Sequence, residues 1–297
     1  MTTILLLGHG QIGAAIERDL AEYSVRLWKH DIADLTTSEL DVIAPDVVIN
    51  AAGKTQLSWC EEHAREAVRV NLEAPVELYR RIREYDRTRG HQTRFIHFSS
   101  GCVWDGPFDE QGQPFSPSAP PTPACLYSWT KAAADAMLLD LDQEHIAILR
   151  PRQVYSETLS PRNTLVKLLQ YERLIDTPNS VTSMRVIERM LRYVITAEQD
   201  WAGLWNVYDR EATTPYAIGM MLHEAGLRSE PKPLTKSELD TFHHPKRVDT
   251  VLYDPRFEQR IAPEHSSVEL RQAIDGLKLA LEHALELERR TEQTSQA

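Results

Sequence analysis

Near its start the chain runs apolar through Thr3-Ile4-Leu5-Leu6-Leu7 and then breaks into Gly8-His9-Gly10-Gln11-Ile12-Gly13. A strand-length run that ends in GxGxxG and continues with helical periodicity restricts the local fold to strand, tight turn and helix. In that setting each glycine has its own task. The first permits the turn, the second leaves room for a diphosphate beside the backbone, and the third lets helix and strand approach closely. The helix N-terminus then attracts the phosphate charge. Gly8, Gly10, Gln11, Ile12 and Gly13 are therefore the first candidate ligand contacts. The plainer alternative is a glycine-rich turn that holds nothing.

The rest of the first half repeats an alternation of short apolar runs and longer amphipathic stretches, the pattern of βαβ units and a parallel sheet. Strands are expected at 4–7, 25–28, 47–50, 95–99 and 146–149, and helices at 12–23, 64–88 with a break near Pro75, and 128–143. After Pro151 the texture changes to helical patterns at 164–173, 185–198, 215–225 and 268–290, with a strand-like piece at 204–208. The expected fold class is α/β: a Rossmann-type doubly wound parallel sheet with a smaller, mostly helical C-terminal substrate lobe. Residues 1–155 would form the dinucleotide-binding part and 156–290 the lobe, with the strand near 204–208 free to return to the Rossmann side. Residues 291–297 would be a frayed tail. The Pro-, Gly- and Ser-rich loop 106–124 is long enough to suggest function, while Glu61-Glu62 and Arg80-Arg81 read as solvated helix faces.

The 297 residues carry 33 Lys and Arg against 44 Asp and Glu, a formal charge of −11, which argues against a protein that works by gripping nucleic acid phosphates. No apolar run is long enough for a membrane span, and the first one breaks too early for a signal peptide. Cys60, Cys102 and Cys125 cannot all pair and match neither a zinc ribbon nor a disulfide-rich scaffold. A cytoplasmic protein without a metal site is expected; His243-His244 lacks the helical HxxxH spacing of a zinc site.

The second expected strand ends in Lys29-His30, with Asp31 and Ile32 following. A site for an unphosphorylated ribose usually shows an acid at that strand end, whereas cations suit a 2′-phosphate; NADP is preferred here, and NAD stays open. Ala51-Ala52-Gly53 would let a flat ligand lie against the end of the third strand, although a tight turn into a helix accounts for them as well. The fourth strand ends in Ser99-Ser100-Gly101-Cys102-Val103-Trp104. Downstream, Tyr127 and Lys131 stand four residues apart at a helix start and so share one face. A free phenol titrates near ~10, so acid–base work near neutrality requires lowering it by about 2–3 pH units, which a neighbouring ammonium can supply. YxxxK is common by chance; the order of these pieces carries the argument, since a parallel sheet gathers strand carboxyl ends on one rim.

In that order the chain resembles the extended short-chain dehydrogenase/reductase family, and within it the dTDP-4-dehydrorhamnose reductase branch. The resemblance rests on GHGQIG at 8–13, PDVVINAAG at 45–53, SSGCVW at 99–104, YSWTK at 127–131 and LRPRQVY at 149–155, and covers about residues 1–155. It implies an NAD(P)H-dependent reductase acting on the keto group of a nucleotide-linked deoxysugar or similar polar carbonyl compound. Tyr127 would be the general acid. Lys131 would hold the nicotinamide ribose and lower the phenol's pKa, and Ser100, three residues before Val103, would hydrogen-bond the carbonyl. Asn71 would match the family's buried asparagine on the helix after strand three. Cofactor contacts would come from the glycine turn, Lys29 to Ile32, Ala51 to Gly53, Tyr127 and Lys131, and substrate contacts from Ser100, Cys102, Trp104 and Gln153. Gln153 is a departure, because the branch carries an aromatic residue there. A homodimer is compatible with the family. Two alternatives stand beside this reading: an NAD-dependent sugar epimerase of the same fold, and a non-catalytic nucleotide-binding regulatory subunit.

Overall fold

The computed structural model describes residues 1–261 and 266–295. The first half consists of β1 (Thr3–Leu7), α1 (Gln11–Asp19), β2 (Ser24–Trp28), α2 (Thr37–Ile43), β3 (Val47–Asn50), α3 (Leu57–Glu62), α4 (Ala64–Val68), α5 (Ala74–Arg89), β4 (Arg94–Phe98), α6 (Leu126–Leu141) and β5 (Ile146–Pro151). The second half adds β6 (Val154–Tyr155), α7 (Thr164–Leu168), β7 (Arg173–Ile175), β8 (Thr182–Ser183), α8 (Met184–Thr196), β9 (Gly203–Val207), α9 (Pro215–Glu224), β10 (Lys232–Leu234), α10 (Lys236–Phe242), α11 (Pro255–Arg260) and α12 (Ser266–Ser295).

Six strands form one parallel sheet in the order β2-β1-β3-β4-β5-β9. Its strands read as continuous apolar runs because both faces are covered. Ile4, Leu6, Val47, Ile49, Ile96, Phe98, Ala147 and Leu149 enter one core with α1 and α8. Their alternates Leu5, Leu7, Val48, Phe95, Ile146 and Ile148 enter another with α5 and α6. The strand order reverses between β1 and β3, so the loops after these strands flank the crevice where open α/β sheets bind ligands.

The second half serves two places. Segment 184–207 belongs with the sheet: α8 buries Met184, Ile187, Met190, Leu191 and Val194 against it, and β9 pairs with β5 as the sixth strand. A separate cluster of Tyr155, Leu165, Leu168, Leu174, Ile218, Leu222, Leu270, Ile274 and Leu277 organises the lobe around α7, α9 and α12, with the pairs β6–β8 and β7–β10 at its side.

Several local expectations shift. The helix expected over 64–88 does not break at Pro75 but passes through a π-helical turn at Arg69–Glu73. Proline lacks an N–H and crowds the carbonyl four residues back, here that of Asn71, and a widened turn relieves both problems. The helix expected over 164–173 ends at Leu168 and gives way to β7. α12 continues to Ser295, past the expected end at Arg290, and 296–297 of the expected tail lie outside the described residues. Four short helices, α2, α3, α10 and α11, fall outside the expected set, although α2 and α10 open on a capping box, Thr36 with Glu39 and Thr235 with Glu238. Glu61 is no merely solvated charge: its carboxylate accepts from the Leu126 N–H at 2.8 Å, tying α3 to the start of α6. Arg81 likewise donates to the carbonyls of Ala33 and Leu35 at 2.8 and 3.0 Å, holding the segment after β2. No helix among the described residues is long and apolar enough to cross a membrane.

Candidate active site

The glycine turn joins β1 to α1. Gly8 has φ +91°, and a Cβ there would stand 2.5 Å from the Ala52 amide nitrogen, so only glycine lets β1 and the loop after β3 approach this closely. A Cβ on Gly13 would lie 2.0 Å from the Gly8 carbonyl oxygen, which explains the third glycine as helix-on-strand contact. Gly10 differs, since among the described residues a Cβ there would meet only Arg162 Nη1, at 2.8 Å. The middle of the turn thus faces open space and one guanidinium, a shape that fits a diphosphate. α1 has no acidic residue in its first turn to oppose an anion. Gln11 makes a long hydrogen bond, 3.5 Å, to the Val154 carbonyl, and Ile12 packs against the core.

At the end of β2, Lys29 and His30 are exposed, His30 lying edge-on to Trp28 at 5.2 Å. Asp31 caps the 3-10 turn Ile32–Asp34 through the Ala33 N–H at 2.9 Å, while Ile32 is buried. Arg69, from the π-helical turn, reaches Asp31 at 3.3 Å. It adds a guanidinium to the Lys29 ammonium and the His30 imidazole of this corner. After β3, the Ala52 N–H donates to Asn50 Oδ1 at 3.1 Å, and Ala51 and Ala52 are half-buried. A Cβ on Gly53 would stand 3.3 Å from Asn71 Oδ1. Asn71 clasps the backbone of Lys54, accepting from its N–H and donating to its carbonyl, each at 2.9 Å, and its amide also lies 3.4 Å from Thr130 Oγ1 on α6. It therefore answers a helix irregularity and braces the loop after β3 in one contact set.

The two serines after β4 point to different places. Ser99 donates to Asp135 Oδ2 at 2.8 Å, inside a buried set completed by Arg150 Nε at 2.8 Å from the same oxygen. Ser100 Oγ accepts from the Cys102 N–H at 3.1 Å, and its hydroxyl lies close enough to the Tyr127 phenol to favour the phenolate. α6 buries Tyr127, Lys131, Ala134, Asp135 and Leu138, residues that recur every three to four positions on one face. Lys131 lies in that stripe, 3% exposed. Its Nζ donates to the Phe98 carbonyl at 2.7 Å and stands 3.4 Å from Nε2 of the buried His97, whose Nδ1 lies 3.2 Å from Asn50 Nδ2.

The electrostatics differ from the expectation of a lowered phenol. Burial pushes the Tyr127 phenol up, the charge of a Cys102 thiolate would add to this, and the Ser100 hydrogen bond and the Arg152 guanidinium pull against it. Lys131 falls to about 8 because burial removes its hydration, with Asp135 opposing the fall. His97 is held well below the usual imidazole range by burial and by the Lys131 charge, so it is neutral.

Among the expected substrate contacts, Cys102 lies beside the site with Arg152 Nη1 2.9 Å from its Sγ. Gln153 has φ +43°, a left-handed conformation that side chains other than glycine seldom adopt, and it is half-buried at the end of β5. Trp104 must be corrected. It is fully buried, stacked on Phe115 at 5.3 Å and donating to the Ala119 carbonyl at 3.2 Å. An indole sealed this way anchors loop 106–124 and presents no surface to a ligand.

Sequence reasoning missed Arg69, His97, Arg152 and Arg162. The Arg152 guanidinium is buried, donating to Asn179 Oδ1 at 2.9 Å and to the Val248 carbonyl. None has a motif of its own; a charge at the end of an apolar strand was the sole available signal for Arg152.

The family described as RmlD substrate binding domain matches residues 1–247. A trifunctional UDP-glucose 4,6-dehydratase/UDP-4-keto-6-deoxy-D-glucose 3,5-epimerase/UDP-4-keto-L-rhamnose-reductase of Arabidopsis thaliana is 30% identical over 206 residues, 66% of this chain. The chain spans 29% of that relative's length. Among solved structures, the UDP-rhamnose synthase of Acanthamoeba polyphaga mimivirus superposes with TM-score 0.80 at 18% identity, over 92% of this chain and 99% of the other. The dTDP-4-dehydrorhamnose reductase of Bacillus anthracis in complex with NADP gives 0.76 at 14% identity, over 94% and 99%. At these identities the structural likeness shows the shared Rossmann-type fold.

Proposed function

The chain belongs to the RmlD substrate binding domain family, within the extended short-chain dehydrogenases/reductases, and on that premise we propose that it is an NADP-preferring reductase of the keto group of a nucleotide-linked 6-deoxysugar. The reading is supported above all by one juxtaposition: Ser100, the Tyr127 phenol it acts on and the buried Lys131 lie on the sheet rim that also carries the glycine turn. It is supported too by the relatives named above, whose names describe 4-keto-rhamnose reduction, UDP-rhamnose synthesis or a complex with NADP. We assign residues 1–155 to dinucleotide binding and the later segments outside 184–207 to the substrate lobe.

The glycine turn and the N–H groups opening α1 would hold the diphosphate, and the Lys29 and Arg69 charges outnumber that of Asp31 where a 2′-phosphate would lie. A dihydronicotinamide bound there would supply the hydride for the carbonyl carbon. Ser100 donates a hydrogen bond to the carbonyl oxygen and polarises it. As the π pair moves onto that oxygen, Tyr127 delivers the phenolic proton, and the product is a secondary alcohol. A phenol pushed up by burial suits this direction, because it stays protonated until charge develops on the substrate oxygen. Lys131 would hold the nicotinamide ribose, and its ammonium offsets the phenolate once it forms.

Purified protein mixed with NADPH and a panel of 4-keto nucleotide sugars should oxidise the cofactor. Tyr127→Phe should lower kcat by at least ~10²-fold, the scale of general acid catalysis, with NADPH affinity kept. Normal turnover by Tyr127→Phe removes the assigned role. Tight binding of a partner protein together with no turnover of any such sugar favours the regulatory-subunit reading.

A further inference from the structure

We propose that Arg162, carried by the lobe rather than by the sheet, is a dinucleotide-binding residue whose guanidinium meets the diphosphate over Gly10. The inference rests on the reading of the glycine turn as a dinucleotide site and adds a contact that no motif in the first half supplies.

Position is the first argument. At Gly8 and Gly13 the space a side chain would need is closed by backbone, but at Gly10 the sole neighbour among the described residues within 4 Å of an added Cβ is Arg162 Nη1. The guanidinium therefore borders the one open face of the turn. Its mounting is the second argument. Asn163, next in sequence, is fully buried. Its Oδ1 accepts from the N–H groups of Ser156 and Leu165 at 3.2 and 3.1 Å, and its Nδ2 donates to the carbonyls of Ser156 and Thr158 at 2.7 and 2.8 Å. The Arg162 N–H itself donates to Ser160 Oγ at 3.3 Å. The loop backbone is held on both sides, and the side chain leaves a fixed base.

Charge is the third argument. Arg162 makes no ion pair among the described residues. It stands close enough to Lys167, as does Arg247, for both guanidinium charges to reinforce the effect of burial in pushing that ammonium down. Three cations close enough to interact repel one another, and an anion brought among them removes the repulsion. The N-terminus of α1, with no acid in its first turn, faces the same space. A planar guanidinium offers paired donors that match phosphate oxygens. The diphosphate is common to NADP and NAD, so Arg162 would serve both alike, unlike the cations at the end of β2.

The test uses the full chain and equilibrium binding read by nicotinamide fluorescence, with ADP-ribose and adenosine as calorimetric probes. Arg162→Gln should weaken NADPH, NADH and ADP-ribose by a similar factor of about 10–100, the scale of one charge-assisted contact, and leave adenosine unchanged. Arg162→Lys should recover part of the loss through its point charge. Unchanged affinities in Arg162→Gln, with wild-type protein binding normally, overturn the inference and leave the dinucleotide reading intact. A loss confined to NADPH overturns it as well, by moving Arg162 to the 2′-phosphate. A wild-type protein that binds none of these dinucleotides ends both.

Discussion

Replacing Lys131 with methionine should make the ligand-free protein more stable at neutral pH while disabling its cofactor site. Burial brings the ammonium from 10.5 in water to about 8 in the fold. At about 1.4 kcal/mol per pH unit, holding the proton in the folded state costs about 3 kcal/mol. Against this stands the charge-assisted hydrogen bond to the Phe98 carbonyl at 2.7 Å, whose loss costs about 2 kcal/mol. Methionine has a similar reach and no charge, so Lys131→Met should gain about 1 kcal/mol at pH 7. The pH dependence follows from the direction of the shift. Below pH 8 both folded and unfolded chains carry the proton and the full cost is present. Between about 8 and 10.5 the folded chain has released a proton that the unfolded chain still binds, so wild-type stability rises relative to the variant. Above 10.5 both are neutral and the advantage of methionine is gone. Urea unfolding of both proteins at pH 7 and pH 10 measures this, with titrations of other groups cancelling in the difference. A variant destabilised equally at both pH values would show that the buried ammonium is not strained, and the account of Lys131 as a charge held for a ligand would fail.

Gly10→Val should abolish NADPH binding with little change in melting temperature, because the new side chain meets only the flexible end of Arg162, whereas Gly13→Ala should destabilise the fold by several kcal/mol, its Cβ pressing on the Gly8 carbonyl at 2.0 Å; equal effects of the two on stability would refute the division of labour. Neutralising Lys29 and His30 together should weaken NADPH by ~10-fold or more and NADH little, the value of a charge-assisted phosphate contact. Equal losses in the two titrations would place the 2′-phosphate elsewhere.

Much of the sheet is legible in the amino-acid sequence because its signals are local. Apolar runs such as 4–7 and 47–50 are strands buried on both faces, and the glycines of 8–13 announce the turn even though two of them, Gly8 and Gly10, border residues of other segments. The four-residue spacing of Tyr127 and Lys131 is likewise a property of one helix. The irregularity at Pro75 is half legible: proline announces it, but whether the chain stops or widens into a π turn depends on what Asn71 finds to hold, and that is Lys54 in another loop.

What sequence by itself determined is therefore the order of pieces along the chain and the rim on which a parallel sheet collects them. Tertiary structure alone decided which groups complete the site. Glu61 fixes the start of α6, Arg152 meets Cys102, His97 meets Lys131 from within the core, and Arg162 crosses from the lobe to the glycine turn. It also decided that Trp104, beside the motif in sequence, faces the core. The physical reason is the same throughout. Spacing within an element sets which side chains share a face, whereas contacts between distant segments are set by how whole elements pack. The burial that pushes the Tyr127 phenol up and Lys131 down exists only once those elements have met.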